Sequence, residues 1–375
     1  MRLLYGWLTA LSKKSKAKKE TMKRYGHLWE KVISVENLRL ADEKARRGKQ
    51  HTYGVRVHDE NREANIQALH EALCSKTFKT SAYDVFTIYE PKERLIFRLP
   101  YYPDRIVHHA IMNVLEPIWS RTFTHNTYSC IKGRGIEGCA RQVDRIIRKF
   151  EGRPLFCLKI DIRKYYPSIS HRVLKRLVRR KIKDADLLWL LDEIIDSADG
   201  LPIGNYLSQY LANLFLCYFM HWVNERLADL IRERLNLKEK PMLEATEYAD
   251  DIPFFSDSKE VLREVFKLIK EYLETELELT IKGNYQIFPV AENRYDRHGR
   301  AVDYVGYKFF RRQKLMRKTI KKNFVRAAAR LNCRQDVEPK QYEQALAPWL
   351  GWAKHSNSKH LLKTIIKPKY YASVL

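Results

Sequence analysis

The chain has 375 residues, 45% of them hydrophobic, and carries 70 Lys and Arg against 45 Asp and Glu, a formal charge of +25. That length exceeds one ordinary domain and implies two or three subdomains, and the charge points to a polyanionic partner, nucleic acid above all, with a surplus for solubility as the plainer alternative. Six cysteines (Cys74, Cys130, Cys139, Cys157, Cys217, Cys333) without a Cys-x-x-Cys pair exclude a zinc ribbon or a disulfide framework, and no apolar run approaches the ~18 residues that a membrane helix needs.

Residues 1–21 read as a disordered basic leader: Leu3–Leu8 is too short for a secretory core, and a Lys-rich stretch follows it. Met22 opens a more protein-like segment and is the expected true start. Helices are then expected over His27–Ile33, over Val35–Arg47 with Ser34 as N-cap, and over Glu60–Ser75 with Asp59 as cap. Tyr83–Tyr89 and Arg94–Leu99 form a strand pair around the turn Glu90-Pro91-Lys92-Glu93. A helix at Arg105–Trp119, the basic loop Lys132-Gly133-Arg134-Gly135 and a helix at Ile136–Phe150 follow. Leu155–Ile162 is a buried strand with Asp161 at its end. Two helices at about 171–181 and 185–197 lead to the break at Gly200–Gly204, and one long helix runs from Asn205 to about Leu235. Leu243–Ser256 is a hairpin, followed by an amphipathic helix at 259–277 and short strands near 285–289 and 302–310. Helices at Lys318–Arg330 and Gln341–His355 close the chain. The pattern is α+β, an antiparallel sheet covered by helices between two further lobes.

Two adjacent carboxylates, Asp250 and Asp251, sit at the tip of the hairpin in Tyr248-Ala249-Asp250-Asp251. A solvated turn would account for them. A divalent-cation site would account for them too, because a hard cation relieves the repulsion between the two charges. Asp161 offers a third carboxylate at a strand end, with an N-cap or a salt bridge to Arg163 as its plainer role. Carboxylates so placed are what two-metal phosphoryl transfer needs, two cations ~3.5–4 Å apart clamping the attacking and departing oxygens. Neighbouring strand residues face opposite sides. Asp250 is therefore assigned with Asp161 to both ions, and Asp251 to an outer or single-ion position.

Asp161 within Phe156–Ser170, together with Tyr248–Asp251, resembles the two carboxylate motifs of reverse transcriptases. The resemblance runs in order from about Tyr25 to the C-terminus. It takes in Arg94-Leu95-Ile96, Asp104–Val107, Tyr128–Gly135, Tyr304-Val305-Gly306-Tyr307 and Trp349–His355. It implies a right-hand polymerase, with N-terminal helices and fingers at 22–150, palm at 151–310 with inserted helices near 170–200, and a helical thumb at 311–375. It also implies RNA-directed DNA polymerase activity with two Mg²⁺ ions (or Mn²⁺) on Asp161, Asp250 and Asp251, with Ile162 beside them. Tyr166 would lie under the incoming sugar and exclude a 2′-hydroxyl, though Tyr165 and Tyr166 also read as core aromatics. Arg94, and more weakly Lys92, would clamp the triphosphate. Ile203, Gly204 and Gln209 would line the nucleotide pocket together with Tyr248. Lys132, Arg134, Gly306, Tyr307, Arg317, Lys318 and Lys322 would meet nucleic acid. Lys282 reads as a solvated lysine before it reads as a general acid.

Leu201-Pro202-Ile203-Gly204-Asn205-Tyr206-Leu207-Ser208-Gln209 departs from the Gln-Gly-x-x-x-Ser-Pro of most reverse transcriptases, including those of group II introns and retrons. Ile203 replaces the Gln and Gln209 the Pro. That departure is similar to the diversity-generating retroelement branch. The branch implies error-prone, adenine-mutagenised cDNA copied from a template RNA. It also implies dNTPs and a cDNA or primer strand as substrates, and a bacterial or phage-encoded cytoplasmic ribonucleoprotein with a pentameric accessory variability determinant. No ribonuclease H domain is expected. A scaffold without cDNA activity is the alternative of a different class, and three retained carboxylates argue against it.

Overall fold

The computed structural model describes residues 23–89, 93–334 and 337–370. The leader expected at 1–21, and Lys92, lie outside the described residues.

The N-terminal part is helical: α1 (Trp29–Ile33), α2 (Val35–Ala45), α3 (Tyr53–Glu60) and α4 (Arg62–Cys74). Ser34 caps α2 as expected, its hydroxyl accepting from the Asn37 amide at 3.2 Å. Asp59 is no cap. It lies inside α3, and the chain breaks at Asn61 instead. A two-stranded antiparallel ribbon follows, β1 (Asp84–Ile88) with β2 (Arg94–Arg98). Helices α5 (Ile106–Thr122) and α6 (Gly135–Lys149) lead into the centre of the molecule.

That centre is a four-stranded antiparallel sheet. Its strands are β3 (Phe156–Lys159), β4 (Leu243–Ala245), β5 (Phe254–Ser256) and β6 (Gln286–Pro289), in the order β4-β5-β3-β6. Between β3 and β4 run α7 (His171–Arg179), α8 (Ala185–Ile195), α9 (Tyr206–Trp222) and α10 (Ala228–Arg234). A wider-wound stretch at Val223–Leu227 joins α9 to α10, so the long helix is nearly continuous. Helix α11 (Lys259–Glu276) links β5 to β6. The single strand expected at 302–310 is two, β7 (Val302–Tyr304) and β8 (Tyr307–Phe309), to which β9 (Lys314–Met316) adds a third. Helices α12 (Lys318–Asn332), α13 (Pro339–Lys354) and α14 (Lys359–Ile365) complete the chain.

Strand periodicity divides the interior. Leu158 and Phe254 face one core, with α5, α7, α9 and α11. Their neighbours Cys157 and Phe255, with Phe288 from β6, face a second core built on α6, β7, β8 and the C-terminal helices. The central sheet is thus covered on both faces. Its strands read as short continuous apolar runs, and the loops at its ends are where polar groups collect.

Candidate active site

The hairpin tip is tight. Tyr248 and Asp251 exchange backbone hydrogen bonds, the Tyr248 amide donating to the Asp251 carbonyl at 3.1 Å and the Asp251 amide to the Tyr248 carbonyl at 3.2 Å. Two residues, Ala249 and Asp250, turn the chain, and Ala249 adopts φ 55°, a left-handed conformation that most side chains avoid. Three outside contacts hold it there. The buried Tyr304 hydroxyl donates to the Asp251 carbonyl at 3.2 Å. The Glu247 amide donates to the Asn126 carbonyl at 2.8 Å, and the Tyr128 amide to the Glu247 carbonyl at 3.0 Å.

Asp161 stands two residues past the end of β3. Its segment pairs with 280–282: the Arg163 amide donates to the Thr280 carbonyl and the Lys282 amide to the Asp161 carbonyl, both at 2.8 Å. The register of β3 with β5 ends at Leu158↔Phe254, and Asp161 and the hairpin tip both lie beyond that end of the sheet. The three carboxylates therefore share one end of the sheet.

Two lysines meet them there. Lys282 Nζ lies 2.7 Å from Asp161 Oδ2. Lys282 is exposed, as expected of a solvated lysine, yet it is Lys282 and not Arg163 that partners Asp161. Lys159 Nζ lies 3.6 Å from Asp251 Oδ2. Lys159 precedes Asp161 by two, so strand alternation already put both on one face. That signal is in the sequence. Asp251 Oδ1 is buried without a hydrogen-bond partner. Burial, and after it the neighbouring Asp250, push the Asp251 carboxyl up to about 6 against the pull of Lys159. Among the described residues, no three His, Cys, Asp or Glu side chains are close enough together to hold an ion. With the lysines in place, the expected three-carboxylate cluster is not assembled.

Tyr166 lies beside this end of the sheet. Burial, above all, raises its phenol. Its carbonyl accepts from the Leu201 amide at 2.9 Å. Gly200, at φ 62°, lets the chain pass so closely that a Cβ there would stand 2.6 Å from the Tyr166 carbonyl oxygen. Three residues on, the Ile203 carbonyl accepts from the Phe97 amide of β2 at 2.8 Å. Gly204, at φ 120°, lies against the Phe97 carbonyl. One short segment, 200–204, so ties the Tyr166 turn to the ribbon that carries Arg94. Tyr165 is a core residue, buried, its hydroxyl donating to the Ala212 carbonyl at 2.7 Å.

The residues expected to meet nucleic acid divide. Lys132, Lys318 and Lys322 are exposed, with no ion-pair partner among the described residues. Arg134 is spent internally, its guanidinium donating to the carbonyls of Thr124 at 2.5 Å and Thr127 at 2.7 Å. Arg317 is half-exposed and paired with Asp303 at 2.6 Å. Gly306 is covered by the Trp352 ring, and the Tyr307 ring is buried 5.0 Å from that indole. Both belong to the contact between β7–β8 and α13, because an aromatic pair gains more from mutual burial than from solvent.

A carboxylate-tipped hairpin on an antiparallel sheet covered by helices is the arrangement of a right-hand polymerase. Residues 90–307 match the family model described as reverse transcriptase (RNA-dependent DNA polymerase), and the chain belongs to that family. Protein YkfC of Escherichia coli (strain K12) is 29% identical over 154 residues, 37% of this chain and 40% of that protein. Nuclear intron maturase 4, mitochondrial, of Arabidopsis thaliana is 24% identical over 179 residues, 44% of this chain and 22% of that protein. The chain thus spans less than half the length of either. Among solved structures, telomerase from Candida albicans in complex with a fragment of telomeric RNA aligns with a TM-score of 0.44 at 11% identity, over 80% of this chain and 60% of that one. Among the described residues no helix is long and apolar enough to cross a membrane.

Proposed function

We propose that the chain is an RNA-directed DNA polymerase of a diversity-generating retroelement. The observation that carries the polymerase reading is the tight Tyr248–Asp251 turn, which sets Asp250 and Asp251 at the tip of a hairpin in the antiparallel sheet, with Asp161 just past the end of the neighbouring strand and the Tyr166 ring in the turn that follows it. A deoxynucleotide laid over that ring would present its sugar to Tyr166 and its phosphates to Arg94, whose guanidinium can grip phosphate oxygens in pairs. A 2′-hydroxyl would meet the ring edge, which favours dNTPs.

Asp161, Asp250 and Asp251, with Ile162 beside them, are the residues that would hold Mg²⁺ or Mn²⁺. Their oxygen donors suit a hard cation, and the partnerless buried Oδ1 of Asp251 is an acceptor without a donor. When bound, two such ions activate the primer hydroxyl and stabilise the leaving pyrophosphate. Lys282 and Lys159 neutralise the carboxylates otherwise, and release of Asp161 requires Lys282 to turn away.

The branch reading rests on Ile203 and Gln209. An aliphatic side chain at 203 removes a polar contact from the base pocket, loosening base selection opposite template adenines. The template RNA and a pentameric basic accessory protein complete the proposed assembly, in the bacterial cytoplasm. The match to an intron maturase favours, as a second reading, a group II intron type enzyme. Near-identical repeats beside the gene that differ at adenines support the first reading, and their absence the second.

The test is RNA-templated dNTP incorporation by the wild type and Asp250→Ala. We expect a loss of at least about 100-fold, the scale of removing one preorganised charge-stabilising group; equal rates refute the assignment. Error spectra of Ile203→Gln should show fewer adenine misincorporations, and an unchanged spectrum removes Ile203 from the fidelity argument.

A further inference from the structure

The Asp250–Asp251 turn is joined to β7 at two consecutive residues. Tyr304 makes the first tie: its buried hydroxyl lies 3.2 Å from the Asp251 carbonyl and 3.4 Å from the Thr246 carbonyl. Lys159 makes the second. Its ammonium donates to the Asp303 carbonyl at 2.5 Å and stands 3.6 Å from Asp251 Oδ2. The connection continues into the C-terminal helices. The Asp303 carboxylate pairs with the Arg317 guanidinium at 2.6 Å, and the Arg317 amide donates to the Gly306 carbonyl at 2.9 Å. Arg317 is the residue from which α12 starts.

Stability does not explain a lysine at 159. Its neighbours Leu158 and Ile160 are core side chains, whereas the Lys159 side chain is 32% exposed. An ion pair open to water contributes little. What such a group supplies is geometry. An ammonium carries three N–H donors and no fixed plane, so one lysine can hold a carboxylate and a carbonyl together. A single bond such as that of Tyr304 leaves two hairpins free to pivot about it, and a second bond at the adjacent residue removes the pivot.

We propose that Lys159 is a positioning residue: by bridging the Asp251 carboxylate and the Asp303 main chain, it sets the orientation of β7, β8 and the start of α12 relative to the carboxylates. The exposed Lys318 and Lys322 ride on the opening turns of α12, so a polynucleotide that they touch is held at a fixed reach from Asp250. That reach matters because a misplacement of about 1 Å can cost about 100-fold in rate. The consequence for rate rests on the polymerase reading above, and the tie itself does not.

Two measurements on the full chain test the role. Amide hydrogen exchange compares wild type, Lys159→Met and Lys159→Arg. In Lys159→Met the amides of 302–309 and 317–321 should exchange about five- to tenfold faster, for the loss of one charge-assisted bond, with α9 unchanged. RNA-templated dNTP incorporation, counted per burst-competent site, should show kcat lowered about 10- to 100-fold. The KM values for dNTP and for template–primer should stay within about twofold, since Arg94, Tyr166, Lys318 and Lys322 are untouched. Counting per competent site removes any loss of folded protein, so a merely structural lysine would leave that kcat unmoved. Lys159→Arg keeps a cation with several donors and should restore both readouts. Lys159→Gln, too short to bridge, replaces the Met variant if that melts early. Unchanged exchange in Lys159→Met overturns the inference. So does faster exchange with an unchanged kcat, or an Arg variant no better than Met. Faster exchange at 302–309 in a chain whose wild type incorporates no dNTP sinks the polymerase and leaves the tie, and incorporation with unchanged exchange does the reverse.

Discussion

Glu247, one residue before the hairpin tip, is fully buried. Its Oε2 accepts from the Thr127 hydroxyl at 2.7 Å, while Oε1 has no partner. Burial pushes its carboxyl up to about 8 from an ordinary 4.5, because an ion there would lose its hydration for a single hydroxyl bond. The folded state therefore binds a proton that the unfolded state has released. The associated stability is complete below about pH 4.5 and is lost as pH rises through about 8. Each pH unit inside that window changes the balance by about 1.4 kcal/mol. Glu247→Gln, neutral at every pH, should melt at nearly the wild-type temperature at pH 5 and progressively above it towards pH 9. Parallel melting curves would show that Glu247 does not carry the proton. No reading of Thr246-Glu247-Tyr248 in isolation announces this, since the burial is imposed by residues 126–128, more than a hundred positions away.

Among the elements, glycines decide two approaches. Gly306 turns the β7–β8 hairpin at φ 82°, and a Cβ there would lie 2.4 Å from the Trp352 ring of α13. Gly306→Ala should destabilise the fold by about 1–3 kcal/mol, from strain and overpacking together. Trimming the indole in Gly306→Ala/Trp352→Leu should return less than the full loss, because the left-handed backbone stays unfavourable. A denaturant midpoint unchanged by Gly306→Ala would contradict the contact. Helices and strands of length and clear periodicity were legible in the sequence: α6, α9 and α11 are within a residue or two of expectation at their starts. What was not legible follows from tertiary partners. The strand β9 is only three residues, Lys314–Met316, and exists because β8 offers it an edge. Tyr307 looked like a nucleic-acid contact on motif alone, and packing against Trp352 removed it.

At the scale of the whole molecule, one three- to four-residue-wide sheet serves two cores. Leu158→Ala opens space on one face and should cost about 2–5 kcal/mol; Phe255→Ala opens the other and should cost about 3–5 kcal/mol. Because β3 and β5 pair directly, the double variant should depart from additivity by about 0.5 kcal/mol or more. Strict additivity would indicate that the two faces do not communicate through the strands. The α+β plan was readable from the order of the elements. The lysine on Asp161 was not, for Lys282 reaches it through the pairing of Ile162 with Ile281 across 119 residues of chain.

The segment after Gly200 is fastened to the ribbon by main-chain atoms: the Ile203 carbonyl takes the Phe97 amide, and the side chain takes no part in that bond. Any L-residue at 203 can offer the same carbonyl. Position 203 is therefore a free dial on an otherwise fixed mount, where selection can exchange amide for aliphatic without first rebuilding the architecture that holds it.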